Sequence, residues 1–356
     1  MVGVSHREVH LELPATATAA ELMGLRTLDD IFLTGRILGP IPPTRDGLHV
    51  LRTCSLDLEG LSDQLRRWRP VDTKTFTVVA SALGKRNYGR FELEEALGHA
   101  IARSSGWTYE DSRLGTAEST RLSLRLHLGE KTFIGLRVFE HPLHRRAYRV
   151  QTGVGSLRPS LAHALGLLGQ PLAGQRFLDP FCGAGTIAIE VALGGTQVEI
   201  EASDISAEQV GIAEQNAKRA GVDVGLSVAD ASSLPHPGGS VDVIVTNPPW
   251  ERQVAMVAPE PGHSWIEEVV RVLHPDGRLV VLTTAEAPVS AELKRRGFHV
   301  TSFQVSLSGS YPHVLCASRL PRFFRKTELG ASLERCLSSH GKWSPSAAAP
   351  QPVRTR

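Results

Sequence analysis

Cysteine is scarce in this chain. Cys54, Cys182, Cys316 and Cys336 are its four, and no two stand at C-x-x-C spacing. That argues against a structural zinc site and against a disulfide framework, and it fits a reducing cytosol. Long apolar runs are missing too. No stretch approaches the roughly 18 apolar residues that a membrane helix needs. His6, Arg7, Glu8 and Glu12 interrupt the N-terminus where a secretory h-region would lie, so no signal peptide is expected. Net charge is also small, at +2.

What charge there is falls unevenly. Residues 61–150 hold 16 Lys and Arg against 10 Asp and Glu, whereas residues 160–320 hold 10 against 17. A basic front half joined to an acidic back half suggests a polyanion-binding module beside one that binds something else. At 356 residues, 41% hydrophobic and 21% charged, the chain has room for two ordinary soluble domains.

The pattern along the chain gives the same division. In residues 1–70, Val9 to Leu13 alternates like a strand, residues 49–52 are a second strand candidate, and residues 58–68 have helical spacing. Residues 75–80 then form a strand, and Lys85, Arg86 and Arg90 cluster in a loop around Tyr88. An amphipathic helix over 91–104, with Phe91 on its inner face, leads to a hairpin of 121–128 and 132–138. Gly153, Gly155 and Pro159 mark a linker over 151–160. From Gln175 strands and helices alternate, which predicts a doubly wound parallel α/β sheet. The last two strands are separated by a short polar turn, Ser308-Gly309-Ser310, with no helix between them, so a Rossmann-like sheet of seven strands ending in an antiparallel hairpin fits best. Residues 338–356 are rich in Ser, Ala and Pro and read as a disordered tail.

The expected strand ends carry the chemistry. The first runs into Asp179-Pro180-Phe181-Cys182-Gly183-Ala184-Gly185-Thr186. Its glycines let backbone approach a ligand, and a helix then opens with free N–H groups. Gly183 to Ala188 matches G-x-G-x-x-A, which alone would suggest a dinucleotide. Asp179, four residues ahead of Gly183, repels a pyrophosphate and suits the ammonium of S-adenosyl-L-methionine. The second strand ends at Asp204, placed to accept ribose hydroxyls. The third ends at Asp230-Ala231, placed to hold an adenine by its amino group and ring nitrogen. One Asp at a strand end is an ordinary turn residue. Three in succession, followed by Asn247-Pro248-Pro249-Trp250 at a fourth, are not. The Asn247 side-chain oxygen and the Pro248 carbonyl can grip the two N–H bonds of an exocyclic aromatic amine. They would aim its lone pair at a methyl group and stabilise the charge that develops. Trp250 offers a face for the base.

In this order and spacing, these motifs resemble the class I S-adenosyl-L-methionine-dependent methyltransferases that act on exocyclic amines. The strand–helix–hairpin over 71–150 resembles a THUMP RNA-binding domain, and residues 1–70 a preceding ferredoxin-like segment. The pair is similar to THUMP-containing guanine-N2 RNA methyltransferases, especially the tRNA branch. That resemblance implies a cytoplasmic RNA methyltransferase with tRNA as partner and S-adenosyl-L-methionine as cofactor. The methyltransferase domain would span 161–322. Ser156, Leu157, Asp179, Phe181, Cys182, Gly183, Gly185, Thr186, Asp204, Ile205, Asp230, Ala231 and Asn247 would line the cofactor site. Asn247, Pro248 and Trp250 would be catalytic, and Lys85, Arg86, Arg90, Arg145, Arg146 and Arg149 would meet RNA. The family usually has Tyr or Phe in place of Trp250, and Gly in place of Glu251. Tryptophan there also occurs in adenine-N6 enzymes, so adenine N6 stays open as the target. So does a catalytically inactive protein that binds the cofactor and RNA.

Overall fold

The computed structural model describes residues 3–5, 8–114, 121–152, 156–250, 264–307 and 309–320. Gly153, Gly155, Glu251 and the tail at 338–356 lie outside them. The chain divides into two compact units, with the boundary between Arg145 and Arg146.

In the first unit, β1 (Gly3–Ser5) and β2 (Glu8–His10) form a small antiparallel pair. Helix α1 (Ala19–Met23) precedes β3 (Phe32–Leu38), α2 (Asp46–Arg52), α3 (Leu58–Leu65) and β4 (Thr75–Ala82). Helix α4 (Arg90–Ser105), β5 (Thr108–Tyr109), β6 (Leu122–Leu128) and β7 (Thr132–Arg137) follow. Five strands make one sheet in the order β3-β7-β6-β4-β5. Strand β6 shows why: Leu122, Leu124, Leu126 and Leu128 are buried and the residues between them are not, the period of a sheet with one covered face. One apolar core runs from Leu22 through Leu97 to Val138. The expected ferredoxin-like and THUMP-like segments therefore share a sheet and a core, because β3 pairs with β7.

Two expectations fail here. Residues 49–52 are the end of α2, not a strand; Leu48 and Leu51, three apart, are the buried pair. Phe91 is 44% exposed rather than inward. The guanidinium groups of Arg90 and Arg113 lie 5.6 and 5.0 Å from its ring centre. Glu94 takes the inner place instead, and it is fully satisfied. It accepts from Ala80 N at 2.8 Å, Arg90 Nε at 2.6 Å and Ser112 Oγ at 2.7 Å.

The second unit begins with α5 (Pro159–Gly169), β8 (Arg176–Asp179) and α6 (Thr186–Ala192). Then come β9 (Glu199–Asp204), α7 (Ala207–Ala220), β10 (Gly225–Val228) and β11 (Val241–Thr246). Helix α8 (Trp265–Val272), β12 (Leu273–Thr283), α9 (Glu286–Arg295), β13 (His299–Gln304) and β14 (His313–Ser318) close it. The expected seven-stranded sheet is present, ordered β10-β9-β8-β11-β12-β14-β13. All neighbours are parallel except β14, which runs antiparallel between β12 and β13. Both faces of the centre are covered, as a parallel sheet requires. Phe177, Val243, Val245, Val280 and Leu282 pack against Ala162, Leu165 and Ala188 on one side. Leu178, Ile244, Leu279 and Val281 pack against Trp265, Ile266 and Val269 on the other. Helix α9 carries Pro288 in its first turn, where a missing N–H costs nothing. No described helix is long and apolar enough to cross a membrane.

The chain builds outward from β8 to β10 and returns to the other side of β8 with β11. The order reverses between β8 and β11, and a crevice opens at their carboxyl ends. On the far side of α6 lies a buried ion pair. Glu190, fully buried, accepts from Arg146 Nε at 3.1 Å and from Tyr148 Oη at 2.9 Å. Removing that carboxylate strands a guanidinium only 8% exposed. Glu190→Ala should therefore lower unfolding free energy by about 3–5 kcal/mol, read by urea denaturation; a loss below about 1 kcal/mol would contradict the pairing.

Candidate active site

Asp179 stands at the end of β8 and is fully buried. Its Oδ1 accepts from Thr246 Oγ1 at 2.8 Å and from Phe181 N at 3.2 Å. Thr246 is the last residue of β11, so the two strands that flank the crevice are tied at their tips. Oδ2 is equally buried and has no hydrogen-bond partner among the described residues. Burial pushes the carboxyl up to about 7; the bonds from Thr246 and Phe181 pull it down, and nearby Asp204 adds to the rise. A buried acceptor left without a donor is costly. It suits an incoming cationic donor such as the ammonium of an amino acid.

The glycine loop turns away from Asp179 through two left-handed residues, Gly183 at φ 49° and Gly185 at φ 78°. A Cβ on Gly185 would also come within 3.0 Å of Ala213. Asp204, the end of β9, holds this loop. Its Oδ2 accepts from Gly183 N and its Oδ1 from Ser206 N, both at 2.9 Å. Each oxygen keeps a further lone pair for a hydroxyl. Ile205, next in the chain, is 71% exposed, an apolar platform at the crevice edge. After β10, Asp230 Oδ1 accepts from the N and Oγ of Ser232, both at 2.8 Å, and Ala231 is buried. Ser156 Oγ lies 3.4 Å from Thr186 Oγ1, and Leu157 packs into the core.

Phe181 and Cys182 were expected at the cofactor, yet their side chains belong to the core. Phe181 packs edge-to-face on Trp265, with ring centres 5.7 Å apart. Cys182 is buried, and burial pushes its thiol up. Only their backbone belongs to the loop.

At the end of β11, Asn247 and Trp250 are half-buried and Pro248 is buried. Trp250 was expected as an open face for a base. It packs in part against the core and donates its indole N–H to Asn247 Oδ1 at 2.8 Å. The amide oxygen that would accept from an amine is thus already oriented, with one lone pair still available.

The residues expected to meet RNA fare unequally. Lys85 is exposed. Arg86 turns inward, donating to Ile41 O and Tyr88 Oη at 2.9 Å. Arg90 is half exposed and paired with Glu94. Arg90 and Arg145 line a cavity of 410 Å³ together with Arg113, Arg121 and Arg137. Sequence reasoning missed those last three because they lie far apart in the chain. Carboxylates already face most of them: Arg113 meets Glu95 at 2.6 Å, Arg121 meets Glu110 at 3.5 Å and Arg137 meets Asp30 at 2.9 Å. Arg146 and Arg149 are corrections. Arg146 is committed to Glu190. Arg149 donates to Ser156 Oγ at 2.8 Å, beside the glycine loop.

A seven-stranded sheet with this order, a glycine loop after its first strand and acceptors at successive strand tips define a class I methyltransferase domain. Residues 146–312 match the family described as UPF0020: RMKL-like, methyltransferase domain. The chain is 30% identical over 324 residues to the tRNA (guanine(6)-N2)-methyltransferase of Thermus thermophilus, covering 89% of this chain and 91% of that protein. It is 30% identical over 198 residues to the human U6 snRNA (guanine-N(2))-methyltransferase THUMPD2, covering 55% of this chain and 37% of that one. The crystal structure of TrmN from Thermus thermophilus superposes with a TM-score of 0.64 at 27% identity, covering 86% of this chain and 88% of that one. The chain belongs to the guanine-N2 RNA methyltransferase family that its motifs resemble, with an RMKL-like methyltransferase domain over residues 146–312.

The raised Asp179 acid gives a pH signature. Its ordinary value is 3.8 and its folded value about 7. The neutral form is favoured in the fold, so its contribution to stability is fully present below pH 4 and is lost as pH rises through 7. Urea denaturation of the ligand-free protein should show this as a wild-type slope of on the order of 1 kcal/mol per pH unit between pH 4 and 7 that Asp179→Asn lacks. Identical slopes would contradict it.

Proposed function

We propose that the chain transfers a methyl group from S-adenosyl-L-methionine to the exocyclic N2 of a guanosine in tRNA. One observation carries this reading: Asp179 Oδ2, a buried acceptor without a donor among the described residues, stands one strand from Asn247, with Thr246 bonded to Asp179 between them. The target base and RNA class follow the Thermus thermophilus relative, whose likeness runs through both units of the chain. With tRNA as its substrate, the protein would act in the cytoplasm.

The residues at the crevice fit the cofactor. Asp179 Oδ2 would take the ammonium, Asp204 the ribose hydroxyls, Ile205 one face of the adenine, and Asp230 its amino group. Bound there, S-adenosyl-L-methionine supplies an electrophilic methyl on a sulfonium. Asn247 does the rest of the positioning. Its Oδ1, fixed by the Trp250 indole, accepts one N–H of the guanine amine, and the Pro248 carbonyl accepts the other. Both oxygens gain strength as positive charge builds on that nitrogen, so they favour the transition state over the ground state. No strong base is needed, since the proton becomes acidic once the nitrogen is alkylated. The exposed cations of the first unit, Lys85, Arg90 and Arg145, would contact phosphates and set the position of the RNA.

Asn247→Ala should lower turnover by about 10²–10³-fold on unmodified tRNA with labelled cofactor, while cofactor affinity stays within about threefold. Near-wild-type turnover would overturn the assignment. Nucleoside mass spectrometry of the product should show N2-methylguanosine; N6-methyladenosine would overturn the base. Trp250→Phe keeps a stacking ring but removes the N–H that orients Asn247, and should cost about tenfold in kcat with little change in KM for RNA.

A further inference from the structure

We propose that Arg149 is the carboxylate-binding residue of the cofactor site, pairing with the carboxylate at the amino-acid end of S-adenosyl-L-methionine. The inference rests on the cofactor named above, and it reassigns a residue whose place in a basic run suggested RNA.

Arg149 sits in a strap that the second unit holds at every turn. Arg146 and Tyr148 both reach Glu190. Arg219 Nε donates to Ala147 O at 2.9 Å. Val150 N donates to Asn216 Oδ1 at 3.0 Å. The Asn216 amide then donates to Gln151 O at 3.3 Å and to Ala184 O at 3.0 Å. Ala184 is the middle residue of the glycine loop, so one buried side chain fixes the strap and the loop together. Between these anchors the Arg149 side chain turns toward the loop. Its Nη2 donates to Ser156 Oγ, which lies 3.4 Å from the hydroxyl of Thr186, the residue after Gly185.

Among the described residues the hydrogen bond of this guanidinium goes to a neutral hydroxyl, that of Ser156. Glu190, whose charge reaches Arg149, is hydrogen-bonded to Arg146 and Tyr148. Arg149 Nε is buried with no hydrogen-bond partner among the described residues. Burial also pulls the pKa of Arg149 down, and the charges of Tyr148 and Glu190 offset this only in part. A guanidinium offers a planar fork of donors that matches a carboxylate. Among the described residues the site thus offers two complementary groups: an acceptor without a donor at Asp179 Oδ2 and a guanidinium at Arg149 with no carboxylate bonded to it. An amino acid, ammonium and carboxylate on one carbon, supplies a partner for each.

The test is equilibrium binding by calorimetry to the full chain, without RNA. Three probes separate the terms: S-adenosyl-L-methionine, its decarboxylated form and 5′-methylthioadenosine, which lacks the whole amino-acid end. The wild type should prefer S-adenosyl-L-methionine to the decarboxylated form by about 30-fold or more. Arg149→Gln should lose that preference, weakening the first probe by about 30-fold and the other two by less than about threefold. Arg149→Lys, which keeps charge without the fork, should fall between. Equal loss for all three probes would overturn the proposal, because Arg149 would then only hold the strap. So would an unchanged affinity for S-adenosyl-L-methionine. Failure of the wild type to bind even 5′-methylthioadenosine would overturn the cofactor reading itself. If Arg149→Gln does not fold, the decarboxylated probe on the wild type decides alone: no preference overturns the proposal.

Discussion

Much of the catalytic unit depends on how one buried carboxylate is bonded. Asp179 spends Oδ1 on Thr246 and on the backbone of Phe181, and leaves Oδ2 with nothing among the described residues. The first bond closes the tips of β8 and β11, the strands between which the sheet changes direction. The second oxygen is a standing cost that a cationic ligand would relieve. Two other buried carboxylates show that this is a choice. Glu94 receives three donors and Glu190 is ringed by Arg146, Tyr148 and His163. Where Glu94 and Glu190 are satisfied, the exception at Asp179 marks the place where a partner is due.

The remaining parts of the site are held by bonds that connect neighbouring strand tips and loops. Asp204 grips the glycine loop from β9, and Asn216 grips it from α7. Trp250 fixes the Asn247 amide. Each contact removes a freedom that would otherwise be lost when ligand binds, which is how a site becomes preorganised. Loop positions that would be soft in isolation become as fixed as the parallel sheet that carries them.

Much of this was legible in the sequence because a parallel sheet puts its strand ends on one edge. Asp179, Asp204, Asp230 and Asn247 could be placed there by alternation alone. Local pattern is weaker where a residue has two physical options. Arg146 and Arg149 lie in a run of basic residues that reads as a surface, yet a buried Glu190 and a polar pair at Ser156 and Thr186 turn them inward; only the fold brings those partners near. Phe91 has the spacing of a core residue but sits in the first turn of α4, where Glu94 fills the inner place and arginines cover the ring. Residues 49–52 are too few to separate period 2 from period 3.6. The indole bond to Asn247 is a contact at i, i+3 beyond a strand end, and spacing does not reveal which atom of Trp250 would be used.

The most direct measurement is a crystal structure of the protein with S-adenosyl-L-homocysteine, read at one atom. The ligand ammonium should lie within hydrogen-bond distance, about 3 Å, of Asp179 Oδ2, with Thr246 still bonded to Oδ1. An ammonium held elsewhere, with Oδ2 still lacking a donor, would contradict the role assigned to this carboxylate and to the crevice around it.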